Sequence, residues 1–270
     1  MNPPIKLKPL IAGNWKMNAS SVEMRQLALL AQKLAEGESK KGVKKPKNTG
    51  KNARKQALPD VMICPPAIVL AQAATQLKGS HVQIGGQDCH EESAGAYTGN
   101  ISAPMLKRAG AKAVIIGHSE RRQYHQEGNK LVAAKMSAAV QAGLVPILCV
   151  GETLKERKAN QTLRLIGQQL RTAMPNISRA QQLVIAYEPV WAIGTGLTPT
   201  LEEIAQVHAY IRKTLMRKYG DMGTRIRILY GGSVNPQNAA DILAVQNVNG
   251  ALVGGASLKA LDFYKIITSV

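Results

Sequence analysis

The stretch Leu183-Val-Ile-Ala-Tyr-Glu-Pro-Val-Trp-Ala-Ile-Gly-Thr-Gly196 contains a short apolar run, a carboxylate and a glycine-flanked tip. Its first four residues, 183–186, are uninterruptedly apolar, which is typical of a strand buried on both faces. Glu188 is the first carboxylate after this run, and Pro189 ends the strand. The apolar residues 190–193 and the glycines behind them favour a mobile flap. We therefore predict that Glu188 stands at a strand end beside a lid; a buried structural carboxylate is the alternative.

Similar apolar runs occur along the whole chain, and a helical pattern follows each. The eight runs are Leu10–Gly13, Val61–Cys64, Val82–Gly85, Ala113–Ile116, Val145–Val150, Leu183–Ala186, Ile226–Tyr230 and Ala251–Val253. Alternating strands and helices form parallel strands with helical crossovers, and eight units in 270 residues favour closure into a barrel. The predicted fold class is therefore α/β, a single (β/α)8 barrel domain over residues 1–270.

Two of the helical patterns carry a capping-box signature at their start. Ser20 is followed by Glu23 three residues later, and Thr200 is followed by Glu203 at the same spacing. His208 falls on the apolar stripe of the second of these helices. We interpret it as a packing residue.

The charge is strongly basic, with 35 Lys and Arg against 17 Asp and Glu, a formal net charge of +18. Residues 37–56 contain eight Lys or Arg residues against Glu38 alone and no large apolar side chain. Such a segment cannot bury enough surface to order itself, so it is predicted to be a disordered, Lys-rich insertion after the first helix. The alternative is an arm that binds polyanions. No aromatic residue interleaves the lysines, so base stacking is not supported and nucleic acid is not the expected partner.

The cysteines and the amino-terminal sequence bear on the compartment. Cys64, Cys89 and Cys149 are an odd number without C-x-x-C spacing, which argues against disulfides and against a zinc site. Cys89 and His90 are adjacent but have no further candidate ligands, so no metal is expected. No apolar stretch long enough for a signal peptide or a membrane span is present. A cytoplasmic protein without membrane association is expected.

In a barrel of this type the active site lies at the carboxyl ends of the strands. The first residues after the runs include Lys16, His118 and Glu188. Glycine pairs follow the last two strands, at residues 231–232 and 254–255. The loops after strands seven and eight commonly bind phosphate through backbone N–H groups. The sequence therefore predicts one rim with an ammonium, an imidazole, a carboxylate and a phosphate site.

These groups suit proton transfer next to a carbonyl group. Glu188 would be the base, His118 the donor to oxygen, and Lys16 the cation that stabilises an enediolate. Because Ser119 and the residues after it read as the start of a helix, the positive end of that helix keeps His118 neutral. No Gly-x-Gly-x-x-Gly or metal-ligand spacing is present, so no cofactor is expected.

Five motifs carry a resemblance to a known family: Ala12-Gly-Asn-Trp-Lys-Met-Asn18, Ile115-Ile-Gly-His-Ser-Glu-Arg-Arg122, Ala186-Tyr-Glu-Pro-Val-Trp-Ala-Ile-Gly-Thr-Gly196, Tyr230-Gly-Gly-Ser233 and Leu252-Val-Gly-Gly-Ala256. The chain resembles the triosephosphate isomerase family over nearly its whole length, apart from the basic insertion. The resemblance implies interconversion of dihydroxyacetone phosphate and D-glyceraldehyde 3-phosphate, in glycolysis and gluconeogenesis. A neutral catalytic histidine and a loop that closes over the site are established features of that family, so the resemblance implies them here.

By the same resemblance, Glu188 moves the proton between C1 and C2, His118 serves the two oxygens, and Lys16 stabilises the charge. Asn14 positions the substrate, and Glu120 orients Lys16. The backbone N–H groups expected to hold the phosphate are those of Gly194, Ser233, Gly254 and Gly255. A homodimer is implied, because the loop 87–101 is similar to one that carries a threonine, here Thr98, towards the partner's site.

Three positions differ from the usual family pattern. Pro199, after the lid, lacks the N–H to which a tyrosine matching Tyr230 bonds in relatives, so we predict that Tyr230 has another partner. Asn249 replaces a usual aspartate, so Arg212 is expected to lack a carboxylate. Asn100 replaces a usual glutamate near the subunit contact and is expected to weaken a charge pair to Arg121.

Two alternatives stay open on the sequence alone. One is another phosphate-binding barrel enzyme, acting on a sugar or indole phosphate; the combination of Lys16, His118 and a lid beside Glu188 speaks against it. The other is an isomerase with added polyanion binding through residues 37–56.

Overall fold

The computed structural model describes residues 7–42, 58–193 and 197–270. In these residues eight parallel strands form a closed barrel in chain order, with β1 paired to both β2 and β8. The strands are β1 (Leu10–Asn14), β2 (Asp60–Cys64), β3 (Val82–Gly86), β4 (Ala113–Ile116), β5 (Val145–Val150), β6 (Val184–Tyr187), β7 (Arg227–Tyr230) and β8 (Gly250–Val253). Each begins and ends within one residue of the run predicted for it. The predicted (β/α)8 barrel is confirmed.

Every strand contributes to two apolar layers, because successive side chains point to opposite faces. In β4, Ala113 and Ile115 belong to the cluster inside the barrel, whereas Val114 and Ile116 pack between the strands and the helices. All four side chains are at most 1% exposed. This burial on both faces explains why the strands read as continuous apolar runs instead of alternating patterns.

Helices cover the outside of the barrel. They are α1 (Ser21–Gly42), α2 (Ala67–Gln76), α3 (Ala103–Arg108), α4 (Ser119–Tyr124), α5 (Asn129–Gln141), α6 (Leu154–Lys158), α7 (Thr162–Ala173), α8 (Leu201–Tyr219), α9 (Ala239–Ala244) and α10 (Ala260–Thr268). The predicted capping box of Thr200 and Glu203 begins α8, and Ser20 N–H donates to the Glu23 carboxylate before α1. His208 is fully buried in α8, as expected of a packing residue. Among the described helices, none combines the length and the apolar character needed to cross a membrane.

Helix α1 and the predicted insertion overlap. The helix runs to Gly42, so residues 37–42 continue it. A helix can extend beyond its packed turns because each added residue also adds a backbone hydrogen bond, which a prediction based on apolar content alone overlooks. The rest of the predicted insertion, residues 43–56, lies outside the described residues.

Candidate active site

A cavity of about 330 Å³ opens where the loops after β1, β4, β6, β7 and β8 meet. It brings together most of the side chains and glycines predicted from the sequence: Asn14, Lys16, His118, Glu188, Ser233, Gly254 and Gly255. Parallel strands place the first residues of each following loop at one rim, which is why positions far apart in the chain meet here. Gly194, the remaining predicted phosphate residue, lies outside the described residues.

Glu188 is 2% exposed and directly follows the end of β6. Its Oε2 accepts a hydrogen bond of 2.9 Å from the backbone N–H of Ser119. Its Oε1 has no hydrogen-bond partner among the described residues and lies 3.0 Å from Nε2 of His118. A Cβ on Gly231 would come within 2.9 Å of the Glu188 Cγ, so glycine leaves room for this side chain. One oxygen of the carboxylate is thus anchored by a backbone N–H, and the other faces the imidazole of His118 in the cavity.

His118 caps the amino terminus of α4. Its Nδ1 accepts a hydrogen bond of 3.2 Å from the backbone N–H of Glu120. A nitrogen that accepts a hydrogen bond carries no proton, so the ring is neutral with its proton on Nε2. The nitrogen that can donate is therefore the one next to Glu188, in the cavity.

Lys16 adopts a left-handed backbone conformation, with φ of 51°. Its N–H donates to Oδ1 of Asn14 over 3.0 Å, and its carbonyl accepts a hydrogen bond of 2.8 Å from Nε2 of Gln87. The Nζ atom forms an ion pair with Glu120. A non-glycine residue in this conformation is held there by its surroundings, and these contacts supply the restraint. The structure thus brings Lys16 and Glu120 together at the rim.

Some residues of the lining were not predicted from the sequence: Val234, Asn235, Leu252 and Ala256. Asn235 forms a turn in which its Oδ1 accepts hydrogen bonds from the N–H groups of Gln237 and Asn238. The Asn-Pro pair at 235–236 is a turn signal that could have identified this residue.

The comparisons with known proteins agree on one family. The model of the triosephosphate isomerase family matches residues 9–270. The chain belongs to the triosephosphate isomerase family. It is 51% identical to the triosephosphate isomerase of Afipia carboxidovorans over 97% of this chain and 98% of the relative, and 50% identical to that of Brucella abortus over 96% of each. The crystal structure of triosephosphate isomerase from Bartonella henselae superposes with a TM-score of 0.85, at 44% identity over 97% of this chain and 99% of that one.

As a member of this family, the chain is an isomerase with a TIM barrel. It interconverts dihydroxyacetone phosphate and D-glyceraldehyde 3-phosphate, a step of glycolysis. The alternative of a different phosphate-binding barrel enzyme is thereby excluded.

The isomerase also has a buried carboxylate that the sequence did not single out. Glu152, fully buried after β5, accepts hydrogen bonds at Oε1 from the Tyr187 hydroxyl (3.2 Å) and from Nε1 of Trp191 (3.1 Å). Burial raises the pKa of Glu152, and these donors oppose that shift. Glu152 therefore ties β5 to the first residues of the predicted lid. It stands at the position after a strand where the other site residues were sought, so the same rule could have found it.

The new partner that we predict for Tyr230 is not found among the described residues. Its hydroxyl is buried and makes no hydrogen bond within the described residues. A Cβ on Gly232 would lie 2.2 Å from that hydroxyl, so the tyrosine is packed tightly against the glycine turn. Burial raises the pKa of Tyr230. Residues 194–196 of the lid lie outside the described residues, and another partner for Tyr230 stays a prediction.

Of the other two departures from the family pattern, that at Asn249 has an outcome within the chain, and that at Asn100 stays a prediction about the subunit contact. Arg212 donates to Oδ1 of Asn249 over 2.8 Å and to backbone carbonyls, and no carboxylate pairs with it in the described part of the chain. Burial lowers its pKa to about 10. Arg121 is 2.9 Å from Asp88 and 2.6 Å from Glu127. Its charge is therefore balanced within the same chain, whatever Asn100 contributes.

Proposed function

We propose that Glu188 is the base that moves the proton between C1 and C2 of the triose phosphate. The observation that carries this proposal is the 3.0 Å approach of Oε1 of Glu188 to Nε2 of His118 in the cavity. A buried carboxylate oxygen without a hydrogen-bond partner is available to a carbon acid. The N–H of Ser119 holds the other oxygen, which supports a fixed direction of attack.

In the same proposal, His118 donates from Nε2 to the substrate oxygens on C1 and C2. A neutral imidazole can give a proton to one oxygen and recover it from the other, which moves the carbonyl group along the chain. The hydrogen bond from the Glu120 N–H to Nδ1 supports this tautomer. The reaction transfers one proton between adjacent carbons without net oxidation, so it requires no redox cofactor.

Lys16 stabilises the negative charge of the substrate and of the enediolate, and Asn14 positions it. The left-handed backbone of Lys16 and its bond to Asn14 support a fixed placement of the ammonium. Glu120 orients that ammonium through their ion pair. A cation fixed before the reaction stabilises developing charge without reorganisation.

The phosphate binds to the backbone N–H groups of Ser233, Gly254 and Gly255, with Gly194 as a fourth donor. The first three line the cavity, and Gly255 begins a short 3-10 turn over Gly255–Leu258. Loops after the last two strands and the start of a short helix form the phosphate site of many such barrels. This placement leaves the reacting carbons facing His118 and Glu188.

A lid beginning at Pro189 covers the reaction. Oγ of Ser233 donates to the carbonyl of Ala192 over 3.0 Å, which connects the β7 loop with the base of that lid. Excluding water strengthens every charge interaction in the site and prevents loss of phosphate from the enediolate.

The test is turnover of glyceraldehyde 3-phosphate by Glu188→Gln in a coupled assay, together with exchange of the substrate hydron in D2O. We expect both rates to fall by roughly 10³-fold or more, because glutamine cannot accept the proton. Glu202→Gln, the same change at an exposed position of α8, is the matched control. If Glu188→Gln kept a tenth of the wild-type rate, Glu188 would not be the base.

We also propose that the chain forms a homodimer. Met17 is 96% exposed and Ile68 is 89% exposed, and residues 92–100 of the loop that carries Thr98 are all exposed. Hydrogen bonding of the His90 N–H to the Ile101 carbonyl closes the base of this loop, so it projects as a unit. Large exposed apolar side chains beside a projecting loop are typical of a surface covered by another chain. Thr98 would then reach Asn14 and Lys16 of the second copy.

Sedimentation velocity at micromolar concentration tests the dimer. We expect Met17→Arg to shift the wild-type dimer towards monomer and to lower the activity, because an unpaired charge would be buried in the contact. Met216→Arg, at an exposed position of α8, should leave both unchanged. A monomeric wild type, or a Met17→Arg variant that remains dimeric, would contradict the proposal.

The cellular and domain assignments are proposals as well. Cys64, Cys89 and Cys149 are free and buried, which suits a reducing compartment such as the cytoplasm. Fractionation of the source cells, with immunodetection, tests this location.

We further propose one barrel domain over residues 1–270 that contains the Lys-rich insertion 37–56, without nucleic acid as a partner. Deleting residues 38–56 should leave RNA affinity unchanged at every salt concentration; a lower affinity would favour the polyanion-binding alternative.

A further inference from the structure

Arg122, in α4, connects three parts of the chain behind the cavity. Its Nε donates to the carbonyl of Gly117 over 2.8 Å. Its Nη1 donates to Oδ1 of Asn129 over 2.9 Å, and its Nη2 donates to the carbonyl of Cys149 over 3.2 Å. One planar guanidinium therefore binds the end of β4, the start of α5 and the strand β5.

Two of these acceptors adjoin the proposed catalytic groups. Gly117 directly precedes His118 in the chain. Cys149 lies in β5 opposite Ala186 of β6, two residues before Glu188, and the next β5 carbonyl, that of Val150, accepts from the N–H of Glu188. Arg122 thus holds the backbone before the imidazole against the strand that supports the carboxylate.

The pairing of Arg122 differs from that of its neighbour Arg121. Arg121 is balanced by Asp88 and Glu127, whereas no carboxylate forms an ion pair with Arg122 in residues 7–42, 58–193 and 197–270. Burial lowers the pKa of Arg122, while Cys149, Glu188 and Glu127 oppose that shift. Its hydrogen bonds go only to uncharged oxygens, so an ion pair does not explain why a guanidinium is present here.

The Gly117 backbone fits this arrangement closely. It has a φ of 68°, a conformation that residues with a side chain rarely adopt. A Cβ on Gly117 would lie 3.0 Å from Nη2 of Arg122 and 3.0 Å from Cγ1 of Val132. The turn that delivers His118 is therefore packed directly against the guanidinium.

We propose that Arg122 is a positioning residue that sets the distance between Nε2 of His118 and Oε1 of Glu188. This inference rests on the proposed roles of those two groups. The rigid fork of arginine can hold two carbonyls in one plane, which the single point charge of lysine cannot do. Reacting groups must be held within a fraction of an ångström, and a misplacement of about 1 Å can cost roughly 100-fold in rate.

The phosphate site supplies a readout that separates positioning from general stability. Three of the four proposed phosphate donors, Ser233, Gly254 and Gly255, follow β7 and β8, and Arg122 makes no hydrogen bond to these three. Loss of the fork should therefore disturb the reacting carbons and leave phosphate binding unchanged. General loosening of the fold would weaken both.

The experiment compares wild type with Arg122→Lys. We expect kcat to fall by about 10- to 100-fold while KM changes less than about threefold. The affinity for 2-phosphoglycolate, whose planar carboxylate resembles an enediolate in charge, should fall by a similar factor, and the affinity for inorganic phosphate should not change. Arg227→Lys is the matched control, because Arg227 pairs with Asp60 at the opposite end of the barrel.

Two further variants keep the test decisive. Arg122→Ala should regain activity when millimolar guanidinium chloride is added, but not with ethylammonium chloride. Asn129→Leu removes one acceptor only, and kcat should fall severalfold even if the Arg122 variants do not fold.

A wild-type kcat in folded Arg122→Lys or in Asn129→Leu would overturn the inference. Equal losses of affinity for 2-phosphoglycolate and for phosphate in Arg122→Lys would also overturn it. If the Arg122 inference fails while Glu188→Gln and His118→Gln lose activity in the same assays, only the role of Arg122 is refuted. If Glu188→Gln and His118→Gln stay active, the proposed function itself has failed.

Discussion

The two ends of the barrel both contain a buried charged side chain, but they use it differently. At the amino end, Arg212 is 9% exposed and binds the carbonyls of Gly223 and Ile226 and the side chain of Asn249. At the carboxyl end, Glu188 is 2% exposed and keeps one oxygen without a hydrogen bond among the described residues. A buried polar group that is fully bonded stabilises the fold, whereas one that is left unpaired is available to a substrate. Rim substitutions should therefore change the rate, and amino-end substitutions the stability.

The largest expected effect belongs to the carboxyl end. His118→Gln should lower kcat by about 10²- to 10³-fold, because the donor to the reacting oxygens is removed. The loss should be smaller than that of Glu188→Gln, and the free energy of unfolding should change little. Coupled kinetics and urea unfolding on the same samples measure the two quantities. If His118→Gln greatly lowered the free energy of unfolding but left kcat normal, the carboxyl end would not differ from the amino end in the proposed way.

The next effect belongs to the amino end. Arg212→Met should lower the free energy of unfolding by about 3 kcal/mol, because it removes the side-chain donor to the carbonyls of Gly223 and Ile226 and leaves Oδ1 of Asn249 with the Ile228 N–H alone. The kcat of the folded protein should stay within about twofold of wild type. Chemical denaturation and active-site titration check this pair of outcomes. If kcat fell in proportion to the free energy of unfolding, the amino end would not act on stability alone.

A third prediction concerns pH. Burial lowers the pKa of His208 to about 4, although its contact with the carbonyl of Asn247 opposes that shift. The folded state keeps the ring neutral while the unfolded chain takes up a proton below about pH 6.5, so stability is lost as the pH falls from about 6.5 to 4. His208→Asn, which keeps a donor for Asn247, should remove about 2 to 3 kcal/mol of this dependence. Unfolding curves of both proteins from pH 7 to 4.5 measure it, and parallel curves would refute the assignment.

The smallest effect is a gain in stability. Asn249→Asp should raise the free energy of unfolding by about 1 kcal/mol, since it gives the guanidinium of Arg212 a charged acceptor in place of a neutral one. The pKa of the new carboxyl should be lowered by that cation. The gain should be present near pH 7 and disappear as the pH falls through the lowered value. Thermal unfolding at pH 7 and pH 3 checks the sign, and a destabilised variant at pH 7 would show that desolvation of the carboxylate dominates.

The contrast between the two ends was only partly predictable. The sequence placed Lys16, His118 and Glu188 at one rim, because each is among the first polar residues after an apolar run and parallel strands end together. It did not find Glu152, although the same rule applied to β5 would have pointed there. It also could not say which group pairs with Tyr230, because the donors near a hydroxyl depend on side-chain contacts across loops, and such contacts leave no periodic signal.

The amino-acid sequence by itself determined the barrel, the end of the barrel that carries the chemistry, and the family. Those follow from burial, which sets the period of apolar residues, and from short motifs that local backbone geometry requires. Only the tertiary structure decided which buried groups are satisfied and which are not. Nε2 of His118 and Oε1 of Glu188, which are 3.0 Å apart, come from different β/α units. The same holds for the hydrogen bonds by which Arg122 binds the carbonyls of Gly117 and Cys149 behind them. Such distances depend on how the whole barrel packs, and no local stretch of sequence contains them.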